Sequence, residues 1–146
     1  LVGAVGMLFG IPFTCSKDIQ GHTGSASLEI PLCLYQTAQT LNQKSNVGAI
    51  FQESGGDDSF ALMALSNRQG FVVDFHGSRL PIVAQKRIAE LKTIQEGKNP
   101  ADLIAYMRAN GIEYFINTKE EPFAIAQNGD LSPIYQCGSY TLYHLR

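Results

Sequence analysis

Charge is scarce in this chain. Only 16% of its 146 residues are Asp, Glu, Lys or Arg, the formal net charge is −2, and the eleven basic residues are scattered. That excludes the continuous basic face on which nucleic-acid binding depends, and no nucleic-acid partner is expected. The cysteines Cys15, Cys33 and Cys137 form no CxxC pair and have no His-rich cluster beside them, so the spacing of a zinc site is absent. There is no GxGxxG fingerprint for a dinucleotide and no GxSxG nucleophile elbow. Internal repeats and low-complexity tracts are also missing. These absences leave no cofactor to expect.

What is present is a chain of 45% hydrophobic residues, of a size that suits one domain with a single core. It opens on LVGAVGMLFGIPF, thirteen residues without a charged or strongly polar side chain. A helical membrane span needs roughly 20 apolar residues. Residues 1–13 therefore read as the remnant of a span, a signal-peptide core or a buried segment. Residues 14–30, rich in Gly, Ser and Thr, read as a connector, and 31–146 as one soluble α/β domain. For the cysteines, one disulfide with a free thiol and three unpaired thiols both stay open; Cys15–Cys33 is the closest pair in sequence.

Pro31 fits the first turn of a helix, and Leu34, Ala38 and Leu41 give residues 31–43 one apolar stripe. VGAIF, 47–51, reads as a buried strand. In SGGDDSF, Gly55-Gly56 makes a sharp turn, and Asp57 or Asp58 caps a helix that begins near Phe60. That helix is apolar on every side through Leu65, with Gly70 as its C-terminal cap. FVVDF, 71–75, is β-branched and aromatic, which predicts a second strand. Pro81 starts a helix whose apolar face is Ala84, Ile88, Leu91 and Ile94. Asn99, Pro100 and Asp102 supply the cap, first-turn proline and acid of another, with Leu103, Ile104 and Met107 buried and Gly111 as its stop. IEYFIN, 112–117, is a third strand, and Gly138-Ser139 marks a terminal hairpin. This alternation predicts an α/β domain, Rossmann-like in layering, with a mostly parallel sheet and a C-terminal antiparallel hairpin.

In such sheets ligands collect outside the carboxyl ends of the strands. Segments 53–58, 74–79 and 117–120 end at that edge. The candidate ligand-binding residues are Asp57, Asp58, Arg68, Asp74, His76 and Arg79. Asp57, Asp58, Asp74 and His76 could hold Mg²⁺, Mn²⁺ or Zn²⁺. The blander reading makes Asp57 and Asp58 helix caps, pairs Asp74 with Arg68 or Arg79 and leaves His76 solvated. It weighs more, so no metal and no catalytic residue are assigned. The tyrosines Tyr35, Tyr106, Tyr114, Tyr135, Tyr140 and Tyr143 suit half-buried positions better than carbohydrate stacking.

Two resemblances bear on function. Gly21-His22-Thr23-Gly24 followed by GGDDSF resembles the GHxxG and GGDEF motifs of diguanylate cyclases. Ser59, however, separates the acids from Phe60, and the family's later lysine segment has no counterpart. A second resemblance covers roughly 31–146. LYQTAQTLNQ, NVGAIFQES, ALSNRQGFVVDF, RLPIVAQKRIAELKTI, ADLIAYMRANGIEYFI and SPIYQCGSYTLYHLR come in the order seen in a bacterial membrane-protein domain. It is the soluble C-terminal domain of polytopic glycosyltransferase-like proteins, of the dolichyl-phosphate-mannose and arabinose transferase type. The catalytic acids of such proteins lie near their first membrane spans, so none is carried over. The resemblance implies an accessory domain on the extracytoplasmic, periplasmic side, without activity in isolation. Its implied partner is the membrane-spanning portion of its own parent chain, with a polyprenyl-phosphate sugar or a lipid headgroup within reach. The alternative is an independent small-molecule- or metal-binding module using Asp58, Asp74 and Arg79. A nucleotide cyclase comes third.

Overall fold

Pro31 does what its position predicts. Helix α1 spans Leu32–Lys44 directly behind it in the computed structural model, which describes residues 30–55, 58–73, 81–118 and 129–146. Leu34, Thr37, Ala38 and Leu41 are its buried residues, a stripe at the i, i+3, i+4, i+7 spacing of one helix face. The chain turns at Asn46, whose carbonyl accepts from the Ala49 amide at 3.0 Å. Val47 is therefore 79% exposed, and strand β1 is Ile50–Glu53, three residues later than the apolar run implied. Helix α2, Ser59–Ser66, forms where the glycine-rich turn was expected to start one.

Asn67, not Gly70, ends α2. It takes the left-handed conformation (φ 54°) and donates its amide to the Met63 carbonyl, a role that asparagine tolerates. Gly70 instead belongs to strand β2, which is only Gln69–Gly70. The strand expected over 71–75 is thus corrected for 71–73; residues 74–80 lie outside the described ones. The cause is a side chain. The Gln52 amide takes the place of the next backbone partner: its Oε1 accepts from Val72 N at 3.0 Å, and its Nε2 donates to Val72 O at 3.5 Å. The ladder passes from main chain to side chain and stops.

Helices α3, Ile82–Gly97, and α4, Pro100–Asn110, follow. Of the predicted α3 face, Leu91 is buried and Ala84, Ile88 and Ile94 are half-buried. Helix α4 starts as predicted: the Asn99 side chain accepts from the Ala101 amide at 3.1 Å, with Pro100 at the first helical position. It ends at Gly111, φ 66°. Strand β3 is Tyr114–Asn117. The hairpin is β4, Leu131–Cys137, and β5, Tyr140–Leu145.

The sheet runs β2-β1-β3-β5-β4. β1 pairs in parallel with β2 and β3, whereas β5 is antiparallel to both β3 and β4. Among the described residues, four of the five strands therefore point one way, yet only two of the four pairings are parallel. The hairpin inserts its second strand beside β3, which makes the sheet more mixed than the expectation. Side chains alternate across it. Phe51, Tyr114, Ile116, Tyr140 and Leu142 pack with Leu34, Ala38, Leu41 and Leu62 of α1 and α2. Phe115, Ile112 and Leu131 pack with Leu103, Ile104 and Met107 of α4, and Ile94 of α3 leans on that cluster. Helices thus cover both faces of the sheet. Among the described residues, no helix is long and apolar enough to cross a membrane.

Candidate functional site

Three features meet at the carboxyl edge of the parallel strands: the end of β1, the end of β3 and the tip of the β4–β5 hairpin. Register brings the tip there, because Asn117 at the end of β3 pairs with Thr141, next to Tyr140. The residues at this edge are polar and buried. Glu53 is 1% exposed, Ser54 2%, Ser59 0% and Thr118 8%.

Glu53 organises the turn. Its Oε1 accepts from the Gly55 amide at 2.8 Å, and its Oε2 accepts from the Ser59 hydroxyl at 2.9 Å. A buried carboxylate under the first turn of α2 complements the positive end of the helix dipole. The approach at Gly55 is close: a Cβ there would lie 2.9 Å from Glu53 Oε1, and the carboxylate would have to shift to admit it. Beside it Ser54 ties the two parallel strands together. Its hydroxyl lies 3.1 Å from Thr118 Oγ1 and accepts from the Thr118 amide at 3.0 Å. Its carbonyl accepts from Gln95 of α3.

Asp58 stands at the N-cap position of α2, yet its side chain makes no capping bond. Its Oδ2 accepts instead from the Tyr140 hydroxyl at 2.5 Å. The expectation that Asp58 caps this helix is thus corrected: Glu53 neutralises the helix start from below, which frees Asp58 to reach the hairpin. Asp57, Asp74, His76 and Arg79 lie outside the described residues.

Arg68 sits at the opposite, amino edge and is 7% exposed. Its guanidinium grips the C-terminal ends of two helices. Nε donates to Ser45 Oγ at 2.7 Å, and Nη2 donates to the carbonyls of Asn42 at 2.6 Å and Ser45 at 2.8 Å. Nη1 donates to the carbonyls of Asn67 at 2.9 Å and Ser66 at 3.4 Å. Every donor is directed to a protein oxygen. Arg68 and Asp58 flank the two ends of eight-residue α2, about 12 Å of helix apart, so the fold does not bring these two candidates together. Nearby, the Tyr114 hydroxyl donates to the Lys44 carbonyl at 3.0 Å. Burial pushes it above the ordinary phenol value; Glu113 adds to this and Arg68 opposes it. A shallow groove of about 480 Å³ also opens at this edge, lined by Val47, Phe60, Met63, Ala64 and the residues around Arg68.

Chemically, the described carboxyl edge is built to hold a shape. No buried side-chain nitrogen or oxygen among the described residues lacks a partner. The Ser59–Glu53 pair joins a hydroxyl to a carboxylate, the composition of a nucleophile and base. Both groups are sealed from solvent, however, and hold a helix start. Cys33 and Cys137 form a disulfide with a Cα–Cα distance of 5.2 Å, so the pair nearest in sequence, Cys15–Cys33, is not the bonded one. His144 packs against Tyr114 with ring centroids 4.9 Å apart and the ring planes tilted by 38°. Tyr114 and Tyr140 are buried, Tyr106, Tyr135 and Tyr143 half-buried, and Tyr35 is 45% exposed.

Sequence reasoning placed 53–58 and 117–120 at this edge, yet it singled out none of Glu53, Ser59, Thr118 and Tyr140 there. A period-2 signal for Glu53 was available, since Phe51 and Glu53 share one face of β1 and that face meets α2.

These features define a helix-covered α/β domain with a preorganised carboxyl edge. No protein-family model and no curated protein sequence matches the chain. Among solved structures, the chain is similar to the C-terminal globular domain of an oligosaccharyltransferase from Archaeoglobus fulgidus. The TM-score is 0.57 at 7% sequence identity, over 82% of this chain and the whole of that one. At this identity the likeness is one of fold.

Proposed function

We propose that this chain is the accessory, extracytoplasmic domain of a multi-span glycosyltransferase-like membrane protein of bacteria, without transferase activity of its own. The carrying observation is the fold shared with the whole of an oligosaccharyltransferase's globular domain. It is the kind of domain to which the order of segments along 31–146 is similar. The Cys33–Cys137 disulfide supports the compartment, since such bonds persist in oxidising surroundings such as the periplasm. On this reading the domain packs over the membrane-spanning portion of its own chain. Its carboxyl edge helps shape access for a polyprenyl-phosphate sugar or its acceptor.

The test uses the native chain in its own cells. It stays with the membrane after alkaline carbonate extraction, and protease added to spheroplasts removes residues 31–146 from outside. Release of the native chain in soluble form overturns the reading, as does sugar transfer catalysed by residues 1–146 alone. A thermal-shift series with nucleotides and sugar phosphates checks the alternative of a free-standing binding module. A true ligand at 100 times its Kd adds about 2.7 kcal/mol, and we expect no such rise with nucleotides.

A further inference from the structure

The disulfide lies at the rim of the carboxyl edge, and its surroundings connect it to the turn there. Cys33 is in the first turn of α1 and Cys137 is the last residue of β4; both are half-buried, within reach of a small reductant. Cys137 pairs across the hairpin with Tyr140. The tip between them packs directly on the sulfur: Gly138 has φ +55°, and a Cβ there would lie 3.2 Å from Cys33 Sγ. Tyr140 in turn donates its hydroxyl to Asp58 at the start of α2, and Asp58's carbonyl receives the Leu62 amide at 2.9 Å. The path from sulfur to helix start is one cross-strand pair and one hydrogen bond. A polar tie from α1 to this hairpin, from the Tyr135 hydroxyl to Gln36 at 3.2 Å, is exposed.

We propose that the Cys33–Cys137 disulfide is a reducible clasp that sets the conformation of the carboxyl edge through Tyr140 and Asp58. The reaction is thiol–disulfide exchange with a dithiol. One thiolate attacks a cysteine sulfur and breaks the Cys33–Cys137 bond. The second thiolate then displaces that cysteine, and the dithiol leaves as its own disulfide. Its two protons end on Cys33 and Cys137. With the bond open, the hairpin tip is free to lift from α1, Tyr140 loses its fixed approach to Asp58, and the start of α2 loosens. The inference adds regulation to the edge invoked in the proposed function and rests on that reading for its biological meaning. Its physical content is measured on residues 1–146 alone, so the two fail separately.

Amide hydrogen exchange tests it, in a Cys15→Ser background, with and without a dithiol such as dithiothreitol. Gly55 and Leu62 report the edge. Phe71, bonded to Phe51 O, and Leu145, bonded to Glu113 O, report the sheet. Reduction speeds exchange at Gly55 and Leu62 about tenfold or more while Phe71 and Leu145 change by less than about threefold, the signature of local opening. The oxidised Tyr140→Phe variant shows the same selective loosening. The Cys33→Ser/Cys137→Ser variant exchanges like the reduced protein and ignores the dithiol. Equal acceleration at all four amides, or unfolding on reduction, overturns the clasp and leaves a static crosslink. A reduction effect on Gly55 and Leu62 that Tyr140→Phe does not reproduce overturns the route through Tyr140.

Discussion

The two ends of α2 are both finished by a buried charge, and they are finished in opposite ways. At the C-terminal end Arg68 spends all its donors on oxygens of α1 and α2. At the N-terminal end Glu53 receives the Gly55 amide and the Ser59 hydroxyl, while Asp58 is turned outward to the hairpin. Each charge has the sign that the helix dipole favours. The amino edge is closed upon itself, with one cation holding two helices. The carboxyl edge holds its helix from inside and extends a second carboxylate to another element. That asymmetry is why a signal from the hairpin has a route into the carboxyl edge and Arg68 offers none.

The strongest way to break this comparison is at Arg68. Arg68→Met leaves the carbonyls of Asn42, Ser45, Ser66 and Asn67 without their donor. Unsatisfied buried acceptors cost about 1–3 kcal/mol each when fully sealed; with partial access to water at these helix ends, the total loss is about 3–4 kcal/mol. Urea unfolding gives the value from the midpoint. Arg68→Lys recovers less than half, because a single ammonium lacks the planar fork that spans both helix ends. If Arg68→Lys is as stable as the native chain, the two-helix grip is not what Arg68 contributes.

At the other end the effect is smaller. Glu53→Ala deprives the Gly55 amide and the Ser59 hydroxyl of their acceptor and removes the charge from beneath the helix start. The expected loss is about 2–3 kcal/mol, again read from the urea midpoint. Glu53→Gln keeps an acceptor oxygen and loses about half as much. Equal losses for the two variants show that the charge and the second acceptor oxygen, not the shape of the side chain, are what the site needs.

The contrast between these ends also shows what was legible in the sequence. The helices were readable because their signals are local: Pro31 before the stripe Leu34, Ala38 and Leu41, and Asn99-Pro100 with Asp102. The hairpin around Gly138-Ser139 was readable for the same reason, and the α/β class followed from element order. Strand β2 was not, because it is cut short by the side chain of Gln52, twenty residues away in sequence from Val72. The disulfide was not, because Cys33 and Cys137 are 104 residues apart and no spacing rule joins them. Of the candidate residues, Asp58 is visible at the carboxyl edge and Arg68 at the amino edge. Asp58 was read as a cap for the start of α2 and Arg68 as a partner for Asp74, readings drawn from neighbours in sequence. Long-range partners decided their roles.

The smallest expected effect sharpens the comparison by supplying an exposed helix end against which to judge the buried ones. Helix α4 starts in solvent, where the Asn99 side chain accepts from the Ala101 amide at 3.1 Å and donates to Asp102 at 3.0 Å. In Asn99→Ala the Ala101 amide turns to water, so the loss is that of one solvent-accessible cap, about 1 kcal/mol. Melting should fall by roughly 4 °C, with most of it restored in Asn99→Ser because a serine hydroxyl accepts the same bond. Asn99→Ala takes the acceptor from one amide, whereas Glu53→Ala takes it from an amide and a hydroxyl and removes a charge, so the first costs about a third to a half of the second. Burial adds to the difference: at α4 water replaces the lost partner, whereas the Ser59 hydroxyl beneath α2 is sealed from it. Should Asn99→Ala destabilise as much as Glu53→Ala, water does reach the start of α2. The carboxyl edge is then an ordinary solvated turn rather than a sealed one.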